Sequence, residues 1–395
     1  MNNRSGHSKS DRKSRLGLFI MVCLVLMAAS AVITYNIVTG GADRSFIESA
    51  KNYAEIEQTV KDYYIGDVDT DAMHSAASAA MVRALGDKWS YYMTPEEYAA
   101  YKLSNENEYA GVGMSIGINK DGDYFINSVD AGSVAAAAGI MSGQRLLSVD
   151  GQKVKNMNLD EVQNLIRSKL NVDFVVVVSD EKGNETAMNL NCAASYKSPV
   201  IYKMMNEDVG YVIIKNFEAG CADDAITGIQ FLMTSGATSF VFDLRNNPGG
   251  LFDEMAKLLD FLLPDGVLYT SVDMAGHKTN VKSDKICLKY EMAVIVNEES
   301  YGAAEFFAAA IQDYNWGSVV GAQTSGKSRN QITVELSNGD ALHISCGNYL
   351  TSKGVDLAQT GGVAPNIAVA MDDESEGDEQ LNAAINLLKP KSGDD

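Results

Sequence analysis

The sequence predicts an α/β core with a mainly-β module set into its middle, carried behind an N-terminal helical segment and one apolar stretch long enough to cross a bilayer. Three observations carry this. After about residue 208, apolar strands alternate with helical patterns: Val209 to Lys215 and Ser239 to Leu244 read as strands, Ala222 to Ser235 and Leu251 to Leu263 as helices. Met292 to Val296 then reads as a third strand and Ala303 to Tyr314 as a helix, and such alternation of doubly buried strands with helices implies a mixed or parallel sheet. Before it, short β-rich runs at Gly113 to Ile118, Tyr124 to Val129, Arg145 to Val149 and Phe174 to Ser179 surround a single helical pattern, Leu159 to Leu170. Finally, residues 16 to 38 hold no charged side chain.

The N-terminal stretch sets the expected topology. Its length exceeds the roughly 20 residues that a helix needs to span the hydrocarbon. Arg4, Lys9, Arg12, Lys13 and Arg15 all precede it, and positive charge stays on the cytoplasmic side. The expectation is a single-pass cell-membrane protein with a cytoplasmic tail over 1–15, an anchor over 16–38 and everything later outside. A cleaved signal peptide is the rival; its apolar core usually runs about 7–15 residues, shorter than this one, while Ala28-Ala29-Ser30-Ala31 offers the small residues of a cleavage site.

Residues 44 to 101 read as mostly helical, broken at Gly66 and near Gly86. Thr94-Pro95-Glu96-Glu97 starts a helix well: a threonine cap, proline at the first helical position and acids in the first turn. Gln380 to Leu388 reads as a closing helix behind an exposed acidic run, Asp372 to Glu379. The expected divisions are a helical segment over 41–103, the β-rich module over 104–193, the α/β core over 194–389 and a tail over 390–395.

Composition narrows the function classes. Hydrophobic residues make up 46% and charged residues 21%, enough for a packed core, and the net charge is −20. Such a surface repels nucleic acid and anionic headgroups, so no nucleic-acid partner is expected. Cys192, Cys221, Cys287 and Cys346 follow the apolar stretch at spacings that match no metal motif, which leaves buried thiols and disulfides both open. His7, His74, His277 and His343 share no motif, and no nucleophile elbow, nucleotide loop or zinc pattern appears; neither metal nor cofactor is expected.

Three constellations carry chemistry. Gly111-Val112-Gly113-Met114 places glycines where successive backbone N–H groups turn toward one anionic end group. It is followed by Gly132 to Gly139 and by Gly143-Gln144-Arg145-Leu146-Leu147-Ser148-Val149-Asp150-Gly151. Together these runs resemble a PDZ domain, with Gly111, Val112, Gly113 and Met114 at the positions that bind a peptide carboxylate. The common proline and aspartate of the second run are Val134 and Gln144 here.

The second constellation, Asp243-Leu244-Arg245-Asn246-Asn247-Pro248-Gly249-Gly250-Leu251, takes a buried strand through two glycines into a helix. Backbone N–H groups at such a turn can stabilise an oxyanion. The string is similar to the D-L-R-x-N-P-G-G of the C-terminal processing (tail-specific) peptidases. The third, VIVNEESYGAAEFFAAAIQD from Val294 to Asp313 with VVGAQTSGKSRNQ from Val319 to Gln331, resembles that family's nucleophile and lysine segments. The flanks resemble it too: Leu85 to Tyr92 stands where the family has L-D-P-H-S-x-Y, and Gly362 to Asn366 where it has G-I-x-P-D. The resemblance implies a peptidase core of the ClpP/crotonase-like type and protein or peptide partners with free C-terminal tails. It assigns Lys327 as general base, Gln331 as the residue that holds it, Glu305 as the acid of the motif, and Gly249, Gly250 and Ala303 as oxyanion donors. It places Gly302 where the family has its nucleophilic serine, with Ser300 at the earlier serine of the motif and Tyr301 in place of a usual alanine. The expectation is therefore a tail-binding member of this serine-peptidase family that lacks its nucleophile. The alternatives are an active serine-type endopeptidase of the same family that uses a different nucleophile and a non-enzymatic envelope scaffold.

Overall fold

The computed structural model describes residues 21, 24–31, 44–120, 122–130, 132–180, 182–284, 287–371 and 377–388. The tails predicted over 1–15 and 390–395, and most of the apolar stretch 16–38, lie outside them. Residues 24–31 are helical, and among the described residues no helix is long and apolar enough to cross a membrane. The chain forms two compact units, residues 1–77 and 78–395, so the helical segment expected over 41–103 is shared between them.

The first unit contains helix α1 (Arg44–Tyr63). Helix α2 spans Thr70–Arg83. In the second unit, strand β1 (Tyr91–Met93) interrupts the expected helical run, and helix α3 (Pro95–Asn105) follows it. The Thr94 side chain accepts from the Glu97 amide and the Glu97 carboxylate accepts from the Thr94 amide, which satisfies two of the helix's orphan donors.

The β-rich module begins and ends on a two-stranded antiparallel ribbon, β2 (Glu108–Gly111) against β9 (Ala193–Tyr196). Between them lie β3 (Met114–Ile118), β4 (Tyr124–Val129), the one-turn helix α4 (Val134–Ala137), β5 (Arg145–Val149), β6 (Gln152–Lys153), helix α5 (Leu159–Arg167), β7 (Asp173–Ser179) and β8 (Glu185–Asn191). Their sheet runs in the order β3-β4-β5-β7-β8. Val162 and Ile166 of α5 pack with Ile126, Leu146, Val176 and Val178 in a core of their own.

The α/β core is a six-stranded sheet ordered β10 (Val200–Met204), β11 (Val209–Ile214), β12 (Ser239–Asp243), β15 (Glu291–Val296), β16 (Gly317–Gly321) and β19 (Ile367–Ala368). All its pairings are parallel except β10 with β11. Side chains alternate across it: Phe240, Phe242, Val294 and Val296 face helices α6 (Cys221–Thr234), α7 (Phe252–Leu262) and α8 (Ala303–Asp313). Val241, Ala293 and Ile295 face the closing helix α10 (Glu379–Leu387). Burial on both faces is why these strands read as unbroken apolar runs. Arg245 fastens α10 by donating to Asp243 and Asp378.

A second, antiparallel sheet was not legible beforehand. It joins β1 to β13 (Gly266–Asp273), β14 (Lys278–Ser283), β17 (Arg329–Glu335) and the long β18 (Ala341–Thr351). The short helix α9 (Leu357–Thr360) follows β18. Cys192, Cys221, Cys287 and Cys346 are all free, which settles the open question of their pairing in favour of thiols.

Candidate active site

Two loops leave the C-terminal ends of the adjacent parallel strands β12 and β15, the usual place for a site in an open α/β sheet. The first runs from Leu244 to Leu251. Asn247 ties it down: its Nδ2 donates to the Ile214 carbonyl at 2.8 Å, and its Oδ1 accepts the Gly249 amide at 2.8 Å. The second runs from Asn297 to Gly302 and is stitched to the first, with the Tyr301 amide donating to the Asn247 carbonyl at 2.9 Å. Asn297 and Asn246 exchange two further bonds.

Gly250 sits at φ +136°, and a Cβ there would lie 2.5 Å from the Phe217 carbonyl carbon, so only glycine fits. Phe217 donates to the Gly249 carbonyl, and its own carbonyl accepts the Leu251 amide. That bridge turns the Gly250 N–H to the opposite side, where it has no protein acceptor among the described residues. The Ala303 amide, at the first position of α8, has none either. Of the three expected oxyanion donors, then, Gly250 and Ala303 present free N–H groups, whereas the Gly249 amide is taken by Asn247. Gly249 serves instead by close approach: a Cβ on it would lie 2.9 Å from the Tyr301 carbonyl oxygen and 3.3 Å from the Ala303 nitrogen.

Glu305, fully buried, organises the opposite wall. Its carboxylate accepts five bonds: from the amides of Gly302 (2.9 Å), Gly326 (2.7 Å) and Lys327 (2.8 Å), and from the hydroxyls of Thr324 (2.6 Å) and Ser325 (3.1 Å). One acid thus fixes the start of α8 against the loop that delivers Lys327. A buried carboxylate is tolerated only with such full satisfaction.

These elements enclose a cavity of about 260 Å³. Gly249, Gly250, Gly302, Ala303, Lys327 and Gln331 all line it, as do Glu218, Tyr91, Tyr101, Arg329, His343 and Tyr349. Gly302 adopts φ 51°, ψ −113°, at the second position of a turn closed by the Ala304 amide on the Tyr301 carbonyl (3.1 Å). This is the first central residue of a type II′ turn, which favours glycine. A Cβ at 302 would meet Lys327 Cδ at 3.7 Å, an ordinary contact, and nothing else beyond its chain neighbours. The Lys327 ammonium lies 4.8 Å above the Trp89 ring. Burial pushes its pKa down, against the opposing pull of Glu305, Glu218 and Asp87. Gln331 reaches the lysine indirectly: its Nε2 donates to the Trp89 carbonyl at 2.5 Å.

The nearby hydroxyls are committed elsewhere. Ser300 is fully buried, donates to the Leu244 carbonyl at 2.8 Å and accepts the Asn297 amide at 3.0 Å. Ser325 donates to Glu305 and Ser328 to Asp356. Tyr301 bonds Glu299 through its hydroxyl and packs edge-on against Trp89, outside the cavity lining.

Glu218 and His343 also line the cavity, carry no motif and were missed in the sequence. Glu218 follows strand β11; burial raises its pKa to about 7, against the lowering effect of Lys327, and its Oε2 has no hydrogen-bond partner. His343, on β18, is pushed down to about 4 by burial and by Lys327, and its Nδ1 meets Thr333 Oγ1 at 2.9 Å. Trp89 stood in a resembling segment but without an assigned role. Only the tertiary fold brings Glu218 and His343 to one cavity and Trp89 beside Lys327, so no local signal marked them.

The PDZ-like loop forms a separate cavity of about 220 Å³, lined by residues 111–116 with Asp130, Gln163, Ile166 and Arg167. The Val112 carbonyl accepts the Ala135 amide, and the Gly113 carbonyl accepts the Asp130 amide and the Ser133 hydroxyl. The amides of Val112 and Gly113 have no acceptor among the described residues, as carboxylate capture requires. Gly113 stands at φ +71°, and a Cβ on it would lie 2.2 Å from Ser133 Cβ.

Residues 208–369 match peptidase family S41 and residues 125–179 match the PDZ domain. A probable CtpA-like serine protease of Staphylococcus aureus (strain COL) is 27% identical over 386 residues, covering 96% of this chain and 75% of the relative. A protein of the same description from Staphylococcus saprophyticus is 26% identical, covering 89% and 74%. Among solved structures, the photosystem II D1 C-terminal processing protease is 24% identical, with a TM-score of 0.49 and coverage of 86% of this chain and 91% of that one. Residues 208–369 thus carry the peptidase family S41 match, with a PDZ domain match ahead of it, in a chain that resembles CtpA-like serine proteases along most of its length.

Proposed function

We propose that this protein is a membrane-anchored, extracytoplasmic pseudo-peptidase that captures C-terminal tails of other proteins through its PDZ domain without cutting them. One observation carries the reading: the cavity that holds Lys327, Gln331, Gly250 and Ala303 is lined by no serine, threonine or cysteine. An acyl-enzyme needs a nucleophile within hydrogen-bond reach of its base. Gly302, which resembles the family's nucleophile position, has no side chain. Ser300 is the alternative nucleophile that the motif suggests, but its hydroxyl is bonded on both sides within the core.

The free Val112 and Gly113 amides support tail capture by a terminal carboxylate. The uncharged residues 16–38 behind five basic residues support an anchor with the N-terminus inside. The deciding experiment incubates the full-length protein with an unfolded substrate that ends in an apolar tail. The expected result is capture, abolished by amidating the tail, with no cleavage. Turnover that disappears in Lys327→Ala would overturn it. Resistance of the membrane-bound protein to alkaline extraction checks the anchor.

A further inference from the structure

In the cavity beneath Gly302, hydrogen-bond donors without acceptors gather from three separate segments. The Gly250 amide comes from the loop after β12, the Ala303 amide from the start of α8, and the Lys327 ammonium from the loop after β16. None has a protein acceptor among the described residues. A Cβ on Gly249 would lie 3.3 Å from the Ala303 nitrogen, and Gly250 and Ala303 both line the cavity, so the glycine loop and the start of α8 meet there. The Lys327 side chain passes 3.7 Å from where a Cβ of residue 302 would stand. Because residue 302 is glycine, no side-chain oxygen lies between the lysine and the amides.

A carbonyl in mid-chain brings a single oxygen, enough for the two amides alone. A carboxylate brings two oxygens and a negative charge. It satisfies the amides with one oxygen and the ammonium with the other, in charge-assisted bonds roughly twice as strong as neutral ones. We infer that this cleft is itself a receptor for a peptide's C-terminal carboxylate, a second tail site beside the PDZ groove, with one oxygen on the Gly250 and Ala303 amides and the other on Lys327. The inference rests on the proposed function, because a hydroxyl at residue 302 would occupy the second oxygen's place.

The same cavity sets a preference for the last residue of that tail. Glu218 lines it, and Glu106 and Glu254 lie close enough to act on the Glu218 carboxylate. An acidic last side chain meets this like charge, whereas a lysine side chain brings the opposite one.

Trp89 gives a local readout. The chain has two tryptophans, Trp89 and Trp316, and Trp89 stacks on Lys327. In full-length Trp316→Phe protein, the Trp89 emission is titrated with the short peptide acetyl-Ala-Ala-Lys as free acid and as C-terminal amide. The free acid is expected to give a saturable change and to bind about ten- to a hundredfold more tightly than the amide. Adding Lys327→Met or Gly302→Ser should weaken it at least tenfold. Acetyl-Ala-Ala-Glu should bind more weakly than the lysine peptide, and Glu218→Gln should narrow that gap. Equal binding of acid and amide, or unchanged affinity in Gly302→Ser, overturns the inference. The anisotropy of a labelled apolar tail, with gels of the same samples, separates the two claims. Uncut capture with a silent Trp89 refutes this site and leaves the proposed function standing, whereas cleavage refutes the proposed function.

Discussion

Restoring the hydroxyl by Gly302→Ser tests whether the surrounding machinery is intact. The backbone sets the cost. A non-glycine residue at φ 51°, ψ −113° in a type II′ turn stores about 1–3 kcal/mol of strain. Space adds little, because the nearest atom to a Cβ is Lys327 Cδ at 3.7 Å. A loss of about 2 kcal/mol lowers the melting temperature of a domain this size by roughly 4–8 °C. The serine oxygen, one bond beyond that Cβ, comes within reach of the Lys327 amine. Burial has already shifted that amine toward its neutral, proton-accepting form. The Gly250 and Ala303 amides remain because they belong to the backbone. The expected outcome is slow cleavage of an unfolded substrate, reduced roughly 10²–10⁴-fold when Lys327→Ala is added. The assay is a gel time course on both variants, with melting curves to show that each is folded. Folded Gly302→Ser that cuts nothing, or cuts equally well without Lys327, would refute the view that base and oxyanion donors stand ready.

Three further outcomes follow from the geometry. Glu305→Ala strands three amides and two hydroxyls in the core and should cost roughly 3 kcal/mol or more, read by denaturant unfolding. Gly113→Ala should weaken tail capture at least tenfold by forcing the loop off Ser133, and Ser133→Gly in the same chain should recover part of it, read by anisotropy. Stability should change less between about pH 4.5 and 6.5 than either Glu218 or His343 alone would make it, because the two oppose each other there. His343, depressed to about 4, makes stability rise with pH up to 6.5, as the unfolded chain holds the extra proton. Glu218, raised to about 7, makes it fall with pH from 4.5 upward, as the native state holds the extra proton. The Glu218 effect is on the order of 2–3 kcal/mol, and that of the more exposed His343 is smaller because solvent screens it. His343→Gln should therefore leave a stability that falls with pH across this window, and Glu218→Gln one that rises, as measured by urea unfolding at a series of pH values. A flat profile in either variant would contradict the assignment.

Much of this was legible in the linear chain wherever the cause is local. Doubly buried strands such as 239–243 and 291–296 announce themselves as apolar runs, and the cap at Thr94 through its capping residues. The glycines at 113, 249 and 250 stand where positive φ or close approach excludes a side chain, so they mark their loops before any coordinates exist. The helical pattern at 159–170 was read three residues too long because Ser168 caps the helix. The antiparallel sheet of β13, β14, β17 and β18 escaped because its strands carry mixed polar faces, as in Lys278–Ser283 and Arg329–Glu335, with little periodic contrast.

What the sequence determined by itself was the set of chemical parts: a lysine, an acid, glycine-rich loops and a glycine where a hydroxyl was expected. What only the tertiary structure decided was their partnership. Glu305 joins residue 302 to residue 327 by backbone bonds that no spacing reveals. Asn247 removes Gly249 from the donors and leaves Gly250 and Ala303. Gln331 bonds the backbone of Trp89, whose ring lies under Lys327, and the unmarked Glu218 and His343 enter the cavity from distant segments. Propensity and pattern act over a few neighbouring residues, whereas hydrogen-bond partners and desolvation depend on which distant segments the fold packs together.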